Sequence, residues 1–232
     1  MGYCSRSRAA ALIRERRVTL NGRIARDPET PTRVPPDRIE IDGAPLDKSP
    51  SVYFMMNKPR GVITTASDEK GRETVYELLD PEGRWVAPVG RLDKASEGLL
   101  LLTNDSEWAA RITDPDSHLD KTYHVQIDCL ASPELLAAIE KGCFVEGESL
   151  RAKRVRSLRH GAKNSWLEIV LDEGKNRQIR RLLEALDVRV LRLVRVSIGP
   201  LLLGDLPKGG VRALKTQEKR EIDLALKRTS LT

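Results

Sequence analysis

The sequence predicts an α+β protein built on a mixed, mainly antiparallel sheet, preceded by a small helix-plus-hairpin unit. Three observations lead there. Strand-like runs recur at 52–56, 99–103, 123–127, 166–171 and 190–198. Helical stretches fall between them without the regular strand–helix alternation of a parallel sheet. The first 46 residues carry two tight hairpin signals and no long apolar run.

Taken in order, Ser5 to Arg17 reads as a short arginine-rich helix capped by Ser5 or Ser7. Val18-Thr19-Leu20 and Arg23-Ile24-Ala25 flank Asn21-Gly22, and a second hairpin turns at Asp42-Gly43. This unit, 1–46, is too small to be very stable alone. Residues 47–51 read as a linker, and 52–215 as the main domain. There the expected elements are a strand at 52–56, a turn at Asn57-Lys58-Pro59-Arg60-Gly61 and a short strand at 62–65. A helical stretch at 74–79 and a leucine strand at 99–103 follow. Asp105 or Ser106 caps a helix to Ile112, and Ser132 caps one at 133–141 with Pro133 at its first position. A helix at 176–186 precedes the last long strand, and 216–232 reads as a polar tail, helical at most.

The length of 232 residues suits one sizeable domain with a small appendage. No apolar run approaches the ~18 residues of a membrane-spanning helix. The arginine-studded start is unlike a signal peptide. Cys4, Cys129 and Cys143 lack the spacing of a zinc site or a disulfide framework, so a cytoplasmic, metal-free monomer is expected. Charge is distributed unevenly. Residues 1–46 hold nine cationic against six acidic side chains, 47–150 hold 11 against 19, and 151–232 hold 20 against nine. Positive charge at both ends points to a polyanionic partner. Aromatic residues make up only 4%, too few for the stacking platforms of single-strand binders.

The segment Gly90-Arg91-Leu92-Asp93-Lys94-Ala95-Ser96-Glu97-Gly98 feeds straight into the leucine strand. A carboxylate at the mouth of a core strand is held rigidly, as a catalytic group must be. Asp93 is therefore the leading catalytic candidate, although a loop cap is its ordinary alternative. On the helix at 176–186, with Ile179 at 0°, Leu182, Leu183 and Leu186 fall at about 300°, 40° and 340° and form one buried stripe. Arg177, Arg181 and Glu184 lie on the far side. Arg180, near 100°, sits at the margin, where it can pair with Glu184 or reach a partly buried carboxylate.

Gly90-Arg91-Leu92-Asp93, Lys121-Thr122-Tyr123, Glu173-Gly174-Lys175-Asn176-Arg177-Gln178-Ile179-Arg180-Arg181 and Leu193-Val194-Arg195-Val196-Ser197-Ile198-Gly199-Pro200-Leu201 occur in the order found in the pseudouridine synthases. They resemble the ribosomal RNA branch, the RsuA family. Cys4-Ser5-Arg6-Ser7 through Asn21-Gly22 resembles the small S4-type RNA-binding domain. That domain usually opens with a further helix, of which only Met1-Gly2-Tyr3 stand here, so the resemblance implies a unit without its first helix.

The resemblance implies isomerisation of a uridine within ribosomal RNA, free or in a ribosomal-subunit assembly intermediate, without a cofactor. It implies that Asp93 is the essential carboxylate, as nucleophile on C1′ or as base toward the 2′ proton. It implies that Arg180 is the counter-ion of Asp93, and that Tyr123 stacks on the uracil and assists proton removal at C5. Leu193 would pack on the base, and Arg91 and Arg177 would hold the RNA around the flipped nucleoside. Arg6, Arg8, Arg14 and Arg17 on the first helix would bind phosphate. Two rivals fit parts of the pattern. A non-catalytic ribosome-associated RNA-binding protein uses the same basic surfaces, and a base-releasing N-glycosidase uses a carboxylate at C1′. Neither accounts for the ordered Asp93, Tyr123 and Arg180 motifs together.

Overall fold

The structure, a computed structural model, describes residues 2–47, 49–65, 71–79 and 84–229. Met1, position 48 of the expected linker and positions 230–232 of the expected tail lie outside the described residues.

The N-terminal unit is α1 (Arg6–Arg14) followed by β1 (Val18–Leu20), β2 (Arg23–Ile24), β3 (Ile39–Ile41) and β4 (Ala44–Pro45), in a sheet of order β2-β1-β3-β4. The Ser5 side chain accepts from the Arg8 backbone N–H and caps α1. Both turns place their central pair at positive φ: 52° and 76° for Asn21-Gly22, 52° and 80° for Asp42-Gly43. Asn/Asp-Gly is the pair that adopts this turn at least cost.

The main domain contains β5 (Tyr53–Lys58), a 3-10 turn at Val75–Leu78, β6 (Ala87–Val89), β7 (Glu97–Thr103) and α2 (Ser106–Thr113). Next come β8 (Lys121–Ile127), α3 (Pro133–Lys141), β9 (Cys143–Val145), β10 (Glu148–Leu150), β11 (Arg154–His160) and β12 (Ser165–Leu171). The chain ends with α4 (Gln178–Glu184), β13 (Val190–Ile198), β14 (Leu201–Leu202), β15 (Val211–Ala213) and α5 (Thr216–Thr229). The large sheet runs β11-β12-β8-β13-β7-β5-β15, with β6 on β7 and β14 on β13, while β9 and β10 form a separate hairpin. Among the described strands only the β7–β13 pair is parallel, with Val194 opposite Glu97, so the sheet is mixed and mainly antiparallel as expected.

Three apolar clusters cover this sheet. On the front of its β11 half, Val125, Ile127, Leu167, Ile169 and Leu193 pack under Ile139 of α3 and Ile179, Leu182 and Leu183 of α4. On the other half, Met55, Leu99 and Leu101 pack against Trp108 and Ile112 of α2 and Ile222 and Leu226 of α5. Met56, Leu100 and Leu102 face Val62, Val75 and Leu92. Strand β7 is buried along its whole length because both of its faces are covered, which is why its sequence is continuous leucine rather than alternating.

Several expectations are corrected. β5 continues through Asn57 and Lys58, both buried, where a turn was expected. Residues 62–65 form no strand, only a bridge between Ile63 and Thr74. Residues 74–79 make a 3-10 turn, its capping box formed by Thr74 and Glu77. The helix expected over 176–186 spans 178–184, because Arg177 takes a left-handed φ of 49°. The expected polar tail is an amphipathic helix, α5, whose Ile222 and Leu226 enter the core. Asp223 in the same helix accepts a 2.9 Å hydrogen bond from the Trp108 indole.

Gly98 sits where β7 approaches β13, at φ 102°. A Cβ there would lie 2.8 Å from the Arg195 backbone nitrogen and nearer still to its carbonyl oxygen. Gly98→Ala should therefore force the one parallel strand pair apart and cost about 3 kcal/mol or more, read from urea unfolding midpoints. A change below about 1 kcal/mol would show that the strand separates freely.

Candidate active site

A cavity of about 350 Å³ opens between the loop preceding β7, the start of α4 and the front of β8 and β13. Arg91, Asp93, Tyr123, Arg177, Arg180 and Leu193, from four separate segments of the chain, all line it.

The Asp93 loop is fixed through its backbone. The Leu92 carbonyl accepts from the Thr64 hydroxyl at 2.8 Å. That of Asp93 accepts from the Ser96 N–H at 3.0 Å, and that of Lys94 from the Gly61 N–H at 2.8 Å. The Ala95 carbonyl accepts from Arg180 Nη2 at 2.9 Å. Lys58 Nζ donates to the carbonyls of Ser96 (2.9 Å), Pro59 (3.0 Å) and Asp93 (3.2 Å). Every carbonyl from 92 to 96 thus has a donor, and the loop cannot shift without losing several hydrogen bonds at once.

Lys58 has no exposed surface. Burial pulls its pKa down to about 8, while the charges of Asp93 and Glu97 pull it back up. Sequence reasoning missed this residue by placing it in a turn. The available signal was a lysine closing an apolar strand directly before a proline.

The Asp93 carboxylate accepts no hydrogen bond from a described residue. Arg177 Nη1 lies 3.9 Å from its Oδ2, an ion pair between partly exposed groups. The expected counter-ion role of Arg180 is corrected in its geometry. Its guanidinium reaches into the cavity but spends Nη2 on Ala95, and its buried Nε has no partner among the described residues. Burial, Arg177 and Arg60 lower the Arg180 pKa, and Asp93 opposes them. The two arginines therefore bracket the carboxylate: Arg177 approaches it directly, and Arg180 fixes its loop.

Three further cations, Lys121, Lys175 and Arg195, line the same cavity and were not singled out from sequence. Arg195, 6% exposed, donates from Nε to the Leu99 carbonyl at 2.7 Å, leaving its Nη2 without a partner among the described residues. Lys121, also in the lining, has its pKa lowered by burial and by Arg195. Arg195 lies directly across the strand pair from Tyr123. Leu193 is nearly buried and belongs to the front cluster while contributing to the cavity wall. Among the described residues no group of three or more His, Cys, Asp or Glu side chains is assembled to hold a metal. The cationic lining suits an anionic ligand.

The start of α4 is braced from below. Gln178 accepts from the Lys175 N–H and donates to the Arg151 carbonyl. Arg181, expected on the solvated side, is instead tied to Glu148 (2.6 Å), Glu146 (3.1 Å) and the Val145 carbonyl, and so locks the β9–β10 hairpin onto α4.

Outside the cavity, Arg6, Arg8, Arg14 and Arg17 stand exposed on or just after α1. Arg17 is engaged by Asp42 at 2.6 Å and by Glu15 at 3.2 Å, so its charge is largely neutralised within the unit. The other three make no ion pair among the described residues.

The chain matches the family model for RNA pseudouridylate synthases over residues 52–185 and the S4 domain model over residues 1–34. It is 37% identical over 224 residues to ribosomal large subunit pseudouridine synthase B of Bacillus subtilis (strain 168), covering 95% of this chain and 91% of that one. An uncharacterized RNA pseudouridine synthase of Aquifex aeolicus (strain VF5) is 36% identical, with coverage of 95% and 89%. A crystal structure of a pseudouridylate synthase superposes with a TM-score of 0.67 at 32% identity, covering 94% of each chain.

Lys58→Met should leave the three carbonyls short of a donor and cost about 3 kcal/mol. Its pH dependence has a defined sign. Between pH about 8 and 10.5 the folded lysine is neutral while the unfolded one is still charged, so unfolding takes up a proton. Raising the pH through that window should stabilise wild type relative to Lys58→Met, as followed by urea unfolding. A stability difference independent of pH would show that Lys58 is not desolvated.

Proposed function

Because this chain belongs to the RNA pseudouridylate synthase family, we propose that it isomerises a uridine of large-subunit ribosomal RNA to pseudouridine, with Asp93 as the essential carboxylate. One observation carries the assignment. Asp93 sits in a loop whose carbonyls from Leu92 to Ser96 all accept hydrogen bonds, while its carboxylate accepts none from a described residue and lines a cavity shared with Tyr123, Leu193 and four arginines.

In the proposed reaction the N1–C1′ bond breaks, the uracil turns, and C5 bonds to C1′. The C5 proton leaves and N1 gains one, so composition does not change. Asp93 attacks C1′ or removes the 2′ proton, and both roles need it ionised. Arg177, 3.9 Å from the carboxylate, and Arg180, lining the same cavity, supply positive charge beside it. Tyr123 stacks on the uracil and assists proton removal at C5, while Leu193 packs on its other edge. Arg91 holds the backbone around the flipped nucleoside.

Residues 1–46 form the S4-type RNA-binding unit in this reading, and Arg6, Arg8 and Arg14 supply its phosphate contacts. The catalytic unit runs from residue 52 and includes α5, since α5 completes the core. The large-subunit assignment is supported by the name of the Bacillus relative. The protein is read as a cytoplasmic monomer; its cysteines Cys4, Cys129 and Cys143 are all free thiols, as suits a reducing compartment.

Asp93→Asn should abolish pseudouridine formation while leaving RNA affinity within a few-fold of wild type. Carbodiimide mapping of ribosomal RNA incubated with each form reads the first quantity, and filter binding reads the second. Pseudouridine formed at the wild-type rate by the variant would remove Asp93 from the chemistry. Free uracil released by wild type would instead favour the glycosidase reading.

A further inference from the structure

The sheet has a second face that the proposed chemistry does not use. On its β11 half, α3 and α4 pack against the front. The rear carries a row of side chains running across the strands. Arg159 of β11 stands over the Trp166 ring at 5.0 Å, and Arg192 of β13 approaches the same ring at 5.8 Å. Trp166 pairs in register with Gln126, which pairs with Arg192. Arg192 then holds the buried Glu97 through two hydrogen bonds of 2.7 and 3.0 Å, and Lys208 binds the same carboxylate at 3.1 Å. A parallel row places Arg156 on Glu168 at 2.6 Å, with His124 at 3.6 Å from that carboxylate. Arg154 begins the same edge strand, exposed.

Two carboxylates on this face, Glu97 and Glu168, thus meet five permanent cations: Arg154, Arg156, Arg159, Arg192 and Lys208. Arg154 and Arg159 have no ion pair among the described residues. A guanidinium stacked on an indole, as Arg159 is, keeps its N–H fork free and directed outward. Beside Trp166, Val170 and Val194 the face carries polar and charged side chains, and it lacks the broad apolar centre of a stable protein–protein contact. Positive, wet and arginine-forked surfaces are characteristic of nucleic-acid interfaces.

We propose that this rear face, centred on Trp166 and the unpaired Arg154 and Arg159, is a second RNA-binding surface that takes the phosphate backbone of a substrate segment distant from the target uridine. The inference rests on the reading that the substrate is ribosomal RNA. It explains why an edge strand with three outward arginines is retained on a face remote from the cavity. It also gives the enzyme a grip on tertiary structure that a short stem-loop would not offer.

The test uses the full chain carrying Arg154→Ala and Arg159→Ala together, both exposed positions outside the cavity. Its probes are a complete large-subunit ribosomal RNA transcript and the shortest fragment that wild type modifies. The double variant should bind the transcript about tenfold more weakly, with a slope of log affinity against log salt shallower by about 1.5 to 2. Its rate on the saturating short fragment should match wild type. Unchanged affinity and slope on the transcript would overturn the proposal. So would retained RNA binding together with lost binding of polyglutamate, which would assign the face to an acidic protein. Failure of the activity reading is seen separately: wild type forming no pseudouridine, while the double variant still loses transcript affinity, would leave this surface standing.

Discussion

Five successive carbonyls, from Leu92 to Ser96, each receive a hydrogen bond, and the donors are four residues outside the loop, Lys58, Gly61, Thr64 and Arg180, with the Ser96 amide closing the turn. This constraint fixes where the Asp93 side chain starts. Backbone amides in regular strands could not supply it, because the chain here is turning into β7 and its carbonyls point in several directions. A buried ammonium can serve two of them and the Pro59 carbonyl at once, since it carries three donors on one flexible stem. Burying that charge is costly, and the three carbonyls with the nearby carboxylates offset it. The side chain of Asp93 is thereby left unconstrained by hydrogen bonds but precisely placed through its backbone.

The same arrangement divides two tasks that the sequence assigned to one residue. Arg180 was expected to neutralise Asp93, and instead it anchors Ala95 while its charge remains close enough to act on the carboxylate. Arg177, at a left-handed position ahead of α4, makes the nearest approach at 3.9 Å. With Arg91, Lys121, Lys175 and Arg195 lining the same cavity, its cations outnumber its two carboxylates, Asp93 and Glu173. Such a cavity suits an incoming phosphodiester. The β9–β10 hairpin contributes indirectly, since Arg181 ties it to the helix that presents both arginines.

Much of this was legible in the chain. The leucine run of β7, the Asn-Gly and Asp-Gly turns and the Ser-Pro start of α3 each have one strong local cause, and each forms where expected. Asp93 stood out by its place at the mouth of the leucine strand, and the other five cavity residues were found through motif resemblance; periodicity alone left Arg180 undecided between Glu184 and a buried carboxylate. What escaped was set by tertiary context. Lys58 looks like a turn residue until β7 and the Asp93 loop close over it. β11 was not among the expected strands, because as an edge strand it carries charged side chains in place of an apolar run. α5 hides its two core contacts, Ile222 and Leu226, among charged neighbours. Arg17 has the same composition cues as Arg6 and Arg8, and only the fold brings Asp42 to it.

The central claim is that Arg180 serves the chemistry by holding the Asp93 loop and its charge in place, not by binding RNA. The most direct test is the single-turnover rate of pseudouridine formation by Arg180→Met on saturating ribosomal RNA, measured beside its affinity for that RNA. The account predicts a rate lower by about 100-fold or more with affinity changed less than a few-fold, as expected for a group whose stabilisation is realised in the transition state. A rate within twofold of wild type, or a loss confined to affinity, would contradict it.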